Sequence, residues 1–167
     1  MFNTVKGTVT EIGPEKKRTS IFVHYEYICV KNEAGQNKRI EGLTALNSVN
    51  EFLSLGNTGE FFLYTKHKFP ILLGVEMGGK YYYPRKDLLD EVRGQKIIFK
   101  ILTAMIAVVA GLALFFNNQG LFLGFLLVFA AFIPAHFYLL SQNKKLASEK
   151  TLTEMQKSGF GSTYESI

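Results

Sequence analysis

Two short basic clusters are the side chains in this sequence best suited to act on a ligand. Lys16, Lys17 and Arg18 follow Gly13-Pro14, and Lys66, His67 and Lys68 follow the run Glu60–Thr65. Ammonium and guanidinium groups neutralise phosphate, and aromatic faces such as Phe22 and Phe62 can stack on bases. The same charges equally suit an anionic bilayer surface. Solvated turns beside an anionic leaflet are the simpler account, headgroup contact ranks second, and nucleic acid is the weakest candidate. A net charge of +5 fits each of these.

Few other residues have the spacing that a reaction needs. The three histidines, His24, His67 and His136, lie far apart and lack metal-ligand spacing with a cysteine or carboxylate. No G-x-S-x-G nucleophile elbow occurs, and Gly78-Gly79-Lys80 is a hairpin turn rather than a phosphate loop. Asp87, Asp90 and Glu91 alternate with Arg85, Lys86 and Arg93, as on a solvated helix. The single cysteine, Cys29, forms no internal disulfide and fits a buried strand position. The expectation is a non-enzymatic protein with no catalytic residue, metal or cofactor.

The elements that would carry the basic clusters are strands. Thr4–Ile12 alternates, with Val5, Gly7 and Val9 on one side, and has no apolar signal core, so a secretory signal is not expected. Ile21–Val30 is a long strand with Ile21, Val23, Tyr25, Tyr27 and Cys29 on its core face. Asn32–Asn37 turns the chain into a third strand, Lys38–Thr44. Ser48–Leu55 has helical spacing and stops before Gly56. Glu60–Thr65, Ile71–Met77 and Lys80–Tyr83 complete the strands, and Asp87–Lys96 is helical. This order is that of a small, mainly-β OB-like barrel with one short helix, its two basic loops flanking the ligand face. An SH3-like barrel or a β-sandwich fragment is the alternative.

The pattern resembles a group of small bacterial membrane proteins of unassigned function. The resemblance lies in Gly7-Thr8-Val9, in Tyr25-Glu26-Tyr27, and in Gly59 to Tyr64 followed by Pro70. It covers about Lys6–Pro70 and departs at Thr65-Lys66-His67-Lys68, where an acidic, proline-containing turn is expected. In fold alone the domain is similar to the barrel of NfeD-type membrane proteins, whose helices precede the barrel. Neither resemblance implies a catalytic residue.

The second half is apolar. Residues 97–116 run IIFKILTAMIAVVAGLALFF and residues 121–140 run LFLGFLLVFAAFIPAHFYLL. A helix of about twenty residues spans a hydrocarbon core about 30 Å thick. The short link Asn117–Gly120 implies a two-helix transmembrane hairpin. Ala104, Ala107 and Gly111 face Gly124, Ala131 and Ala135 as a seam of small residues. Pro134 can kink the second helix, and His136 has no acidic partner in either span, which suits a structural role. Arg85, Lys86, Arg93, Lys96 and Lys100 lie before or at the start of the first span, and Lys144, Lys145 and Lys150 follow the second. The positive-inside rule then places both termini in the cytoplasm of a bacterial inner membrane, in a multi-pass chain.

The expected organisation is a cytoplasmic β-domain at 1–86, a linker helix at 87–96, the hairpin at 97–140 and a cytoplasmic tail at 141–167. The expected function is interaction or scaffolding through the barrel. Immunity against a membrane- or periplasm-acting toxin is one alternative. A membrane-tethered binder of oligonucleotide or anionic lipid is another. The partners implied are the lipid bilayer, a protein and a second copy of the chain.

Overall fold

The computed structural model describes residues 2–19, 21–65, 69–115 and 119–167; the side chains at 113–115, 119, 121–122, 125–126, 131, 135 and 139 fall outside that description. The chain forms two compact units, unit 1 from Met1–Asp87 with Ser148–Ile167, and unit 2 from Leu88–Ala147.

Unit 1 is built on β1 (Phe2–Ile12), β2 (Glu15–Arg18), β3 (Phe22–Tyr25), β4 (Tyr27–Lys31), β5 (Asn37–Glu41) and β6 (Thr44–Leu46). The short helix α1 (Asn47–Asn50) follows, then β7 (Thr58–Thr65), β8 (Pro70–Met77) and β9 (Lys80–Tyr83). Three breaks lie along one bend line, and two of them divide expected strands, Ile21–Val30 and Lys38–Thr44. Gly13-Pro14 separates β1 from β2, Glu26 separates β3 from β4, and Gly42-Leu43 separates β5 from β6. The breaks are stitched together, because Glu26 N–H donates to Pro14 O and Gly42 N–H donates to Glu26 O. The bend also switches which residues face inward. Val23 and Tyr25 are buried before it and Ile28 and Val30 after it; Cys29 is buried as expected, whereas Ile21 and Tyr27 are only half-buried, so the expected five residues do not form one core face. One extra residue in a strand inverts the two faces beyond it.

The strands form one sheet of ten, in the order β2-β3-β6-β8-β7-β1-β4-β5, with β9 branching from β8. All pairs on the main path are antiparallel except β6 with β8, which run parallel at Thr44↔Ile71 and Ala45↔Leu72. The path ends at β2 and β5, which do not pair with each other. The closed OB-like barrel is therefore corrected to an open, branched sheet, and no likeness to an NfeD-type barrel is retained.

Val5, Val9, Val23, Phe61, Leu72 and Val75 form the centre of the unit 1 core. The run β7 is unusual, because the consecutive residues Phe61, Phe62, Leu63 and Tyr64 are all buried. A sheet strand with one wet face would bury only alternate residues. The cover over its second face comes from the end of the chain. Helix α4 (Glu149–Lys157) buries Thr151, Leu152 and Met155, capped by Ser148, whose side chain accepts from Thr151 N–H at 3.3 Å. The last strand, β10 (Glu165–Ser166), pairs in parallel with β9.

Unit 2 consists of α2 from Leu88 onward and α3. Helix α2 (Arg85–Phe115) is one continuous helix of 31 residues, about 46 Å long at the usual rise, that takes in Asp87–Lys96 and runs on into the first apolar stretch. Helix α3 (Gln119–Leu146) contains Pro134. Among the described residues one helix, over Arg85–Leu112, is long and apolar enough to cross a membrane, and its apolar stretch is unburied. The described side chains of α3 are interrupted and make up no second such stretch. The transmembrane hairpin and the multi-pass topology that rested on it are corrected accordingly.

Phe61 is fully buried at the centre of the sheet. Phe61→Ala is expected to destabilise unit 1 by about 3–5 kcal/mol, through lost burial and the cavity left behind. Denaturant unfolding followed by near-ultraviolet dichroism checks this, against Lys38→Ala on exposed β5 as the control that leaves the midpoint in place.

Candidate functional site

The first basic cluster is not a loop. Lys16, Lys17 and Arg18 lie in β2, an exposed strand at one end of the sheet. Two of the three cations are already engaged. Arg18 Nε donates to Glu15 Oε2 at 2.9 Å while its Nη2 pairs with Glu15 Oε1, and Lys16 Nζ lies 3.8 Å from Glu26. The Arg18 hydrogen bond holds the Glu15 carboxyl below the usual carboxylate range. Lys66, His67 and Lys68 lie outside the described residues. Phe22 in β3 is half-buried. Phe62 is 0% exposed and meets Phe160 edge-on at 5.0 Å, so no base can reach its face. The expected stacking platform is absent at Phe62 because the chain's own C-terminal segment covers it.

The seam in unit 2 is also different. Ala104, Ala107, Gly111 and Gly124 are exposed, and a Cβ added at Gly111 or Gly124 would meet nothing within 4 Å. The side chains of Ala131 and Ala135 lie outside the description. The helices meet through rings instead. Phe99 stacks on His136 at 4.2 Å and on Phe132 at 6.1 Å, and meets Phe137 edge-on at 5.7 Å. Stacked rings need more space between helices than a seam of small residues leaves. His136 is buried in this stack.

Two features of unit 1 have the geometry of a site. The first is a half-open cleft of about 280 Å³ lined by Lys6, Thr8, Lys31, Asn32, Glu33, Thr58 and Glu76, with Gly7, Gly59, Gly78 and Gly79 in its walls. Lys6 Nζ lies 3.1 Å from Glu33 and 3.9 Å from Glu60. The Glu33 carboxylate holds the Lys6 ammonium above the ordinary lysine range. Glu76 accepts from Gly79 N–H at 2.7 Å, which fixes the β8–β9 turn. Charges of both signs meet here over accessible backbone, an arrangement suited to a small polar ligand. Among the described residues no group of three or more His, Cys, Asp or Glu could hold a metal ion.

The second feature is an aromatic groove along β9. Phe160 is 3% exposed and meets Tyr81 at 5.1 Å and Tyr83 at 6.4 Å, both edge-on. Tyr164 meets Tyr83 edge-on at 5.7 Å. Arg85 joins the start of α2 to both parts of the C-terminal segment, donating from Nη1 to the Tyr164 hydroxyl at 3.2 Å and pairing with Glu149. Lys80 pairs with Glu165 at 3.4 Å. Burial pushes the Tyr83 phenol well above its ordinary value of 10.0; Tyr164 and Glu149 act in the same direction and Arg85 against it.

No protein-family model, curated protein or solved structure matches the chain significantly. The scaffold expectation rested on a closed cytoplasmic barrel, and its immunity and tethered-binder alternatives on a barrel carried by a hairpin. The open sheet and the one span-competent helix among the described residues overturn that set.

The sequence does contain a signal for the aromatic groove. The unbroken run EFFLY departs from alternation, as a strand covered on both faces does. Phe160 and Tyr164 are the matching aromatics near the C-terminus.

The Tyr83 phenol holds its proton more tightly in the folded chain than in the unfolded one. Its contribution to stability is therefore present below the unfolded value of about 10 and is lost as pH rises above it. Unfolding midpoints at about pH 8 and about pH 11 should show a fall that Tyr83→Phe reduces. An equal fall in both proteins would contradict this environment for Tyr83.

Proposed function

We propose that the chain is a non-enzymatic, membrane-associated protein whose helical unit embeds in a bilayer from one side, holding the sheet unit at that same surface. The carrying observation is the apolar, unburied length of α2. Ile97, Ile98, Ile101, Met105, Val108 and Leu112 are all more than half exposed. Six such side chains along one helix make a continuous apolar surface that water disfavours and a hydrocarbon layer accepts. The constitution of unit 1 supports the one-sided reading. The chain leaves the sheet unit at Asp87 and rejoins it at Ser148, so both ends of the helical stretch belong to one folded body. A folded body of this kind does not straddle a hydrocarbon core. The Lys6 cleft supports a binding role at the surface, for a small polar ligand that offers both donors and acceptors.

Full-length chain mixed with liposomes should float with them on a density gradient. Ile101→Lys combined with Val108→Lys should cut the floated fraction several-fold, because each buried lysine costs about 2.5–3.5 kcal/mol at mid-helix. A wild-type chain that stays in the aqueous layer would defeat the proposal. Sidedness is read separately. With Cys29→Ser in the background, cysteines at Lys38 and Glu154 should both react with an impermeant reagent on sealed vesicles, or both be protected.

A further inference from the structure

The aromatic groove along β9 has the parts of a peptide-recognition site, and the last residues of the chain are seated in it as a ligand would be. We infer that this groove binds an extended segment of the pattern Phe-Gly-x-x-Tyr-Glu, and that the partner it fits is the same segment of a second copy of this chain. The inference goes beyond membrane association and does not depend on it.

Recognition by strand addition uses main-chain bonds for affinity and side-chain pockets for specificity. Both are present. Glu165 and Ser166 pair with Tyr82 and Tyr83, and Ile167 N–H donates to Tyr83 O at 3.2 Å. The anchors are Phe160 and Tyr164, four residues apart, against Phe62, Tyr81 and Tyr83. The selectivity is steric as well as aromatic. A Cβ at Gly161 would lie 2.5 Å from the Tyr81 ring, so the residue after the anchor must be glycine. On the groove side, a Cβ at Gly74 would lie 2.9 Å from the Phe160 ring and 2.7 Å from Met155. Charge fixes the direction, through Lys80 with Glu165 and Arg85 with the Tyr164 hydroxyl.

The rest of the segment looks outward. Ser162, Thr163, Glu165 and Ser166 are exposed and Ile167 is half-buried, so the ring contacts of the segment come from Phe160 and Tyr164. A core element buries a face along its length, whereas a bound peptide touches through a few anchors. The segment is also preceded by a hinge. Ser158 ends α4, and Gly159 has φ +103, a conformation that favours glycine. Helix α4 keeps its own buried residues, Leu152 and Met155, so release past Gly159 leaves it docked. A terminal segment held by two anchors opens at lower cost than the sheet beneath it.

The test uses the solubilised full-length chain and a fluorescein-labelled peptide of residues 158–167. In the wild type the resident segment competes at a high effective concentration, so the labelled peptide should bind weakly. Phe160→Ala with Tyr164→Ala disables the resident segment and should tighten peptide binding about tenfold or more. The same peptide carrying Phe160→Ala should not bind. A double variant that keeps its thermal transition but binds no peptide overturns the inference. Loss of the transition also overturns it, since the segment would then be a core element. Amide exchange in the wild type gives a separate reading. Glu165–Ile167 should exchange faster than the β7 amides, and exchange only through global unfolding would count against a releasable ligand.

Discussion

The docking of α4 on the sheet, with Leu152 and Met155 buried and Met155 beside Gly74, is the contact on which the rest of the structure depends, and Phe160 extends that cover over Phe62. Without that cover the second face of β7 would leave Phe62 in water beside Tyr81. Burying an aromatic side chain contributes on the order of 1.5–3 kcal/mol, and edge-on ring pairs add about 0.5–1.5 kcal/mol each. The cluster therefore orders a segment far from β7 in sequence. Arg85 adds a polar tie at the start of α2, reaching Glu149 and Tyr164. Ion pairs this exposed contribute little to stability, so their role is to set direction and register.

This contact makes one body of the first 87 residues and the last twenty. The helical unit is an insertion in that body. A chain that began and ended on separate bodies could leave them on opposite sides of a bilayer, but one whose two arms share a sheet cannot. The apolar length of α2 and the shared sheet thus constrain each other. In the function proposed above, the first calls for an apolar solvent, and the second keeps both arms of the chain on one side of it.

Local patterns in the sequence were legible where the physics was local. Alternation marked Thr4–Ile12 as a strand, short apolar runs marked Glu60–Thr65 and Ile71–Met77, and Gly78-Gly79 marked the turn after them, because pleat and glycine conformation act over a few residues. The helix expected over Ser48–Leu55 shrank to Asn47–Asn50 with a turn behind it, where Phe52 stacks on Tyr82 at 4.5 Å. Tertiary packing there outweighed periodicity. The division of Ile21–Val30 at Glu26 was not legible, because a bulge costs one residue and carries no distinctive side chain. Closure of the sheet was inferred from strand order, and order does not say which edges meet. The charge of Lys16, Lys17 and Arg18 suggests solvent and hence a loop, but an end strand is solvated too. The cover over Phe62 was missed because Phe160 lies nearly a hundred residues away, although the absence of alternation in EFFLY recorded its effect.

The central claim is that the sheet and the C-terminal segment form a complete folded body into which the helical unit is inserted. It is tested by excising residues 88–147 and joining Asp87 to Ser148 through a flexible linker of about eight residues, which reaches about 15 Å. The Arg85–Glu149 pair places the two junctions within that reach. The account predicts a protein soluble without detergent, with one cooperative unfolding transition, dispersed Phe160 and Tyr83 ring resonances and no flotation with liposomes. An aggregated or unfolded product, or one that still floats with liposomes, would contradict it.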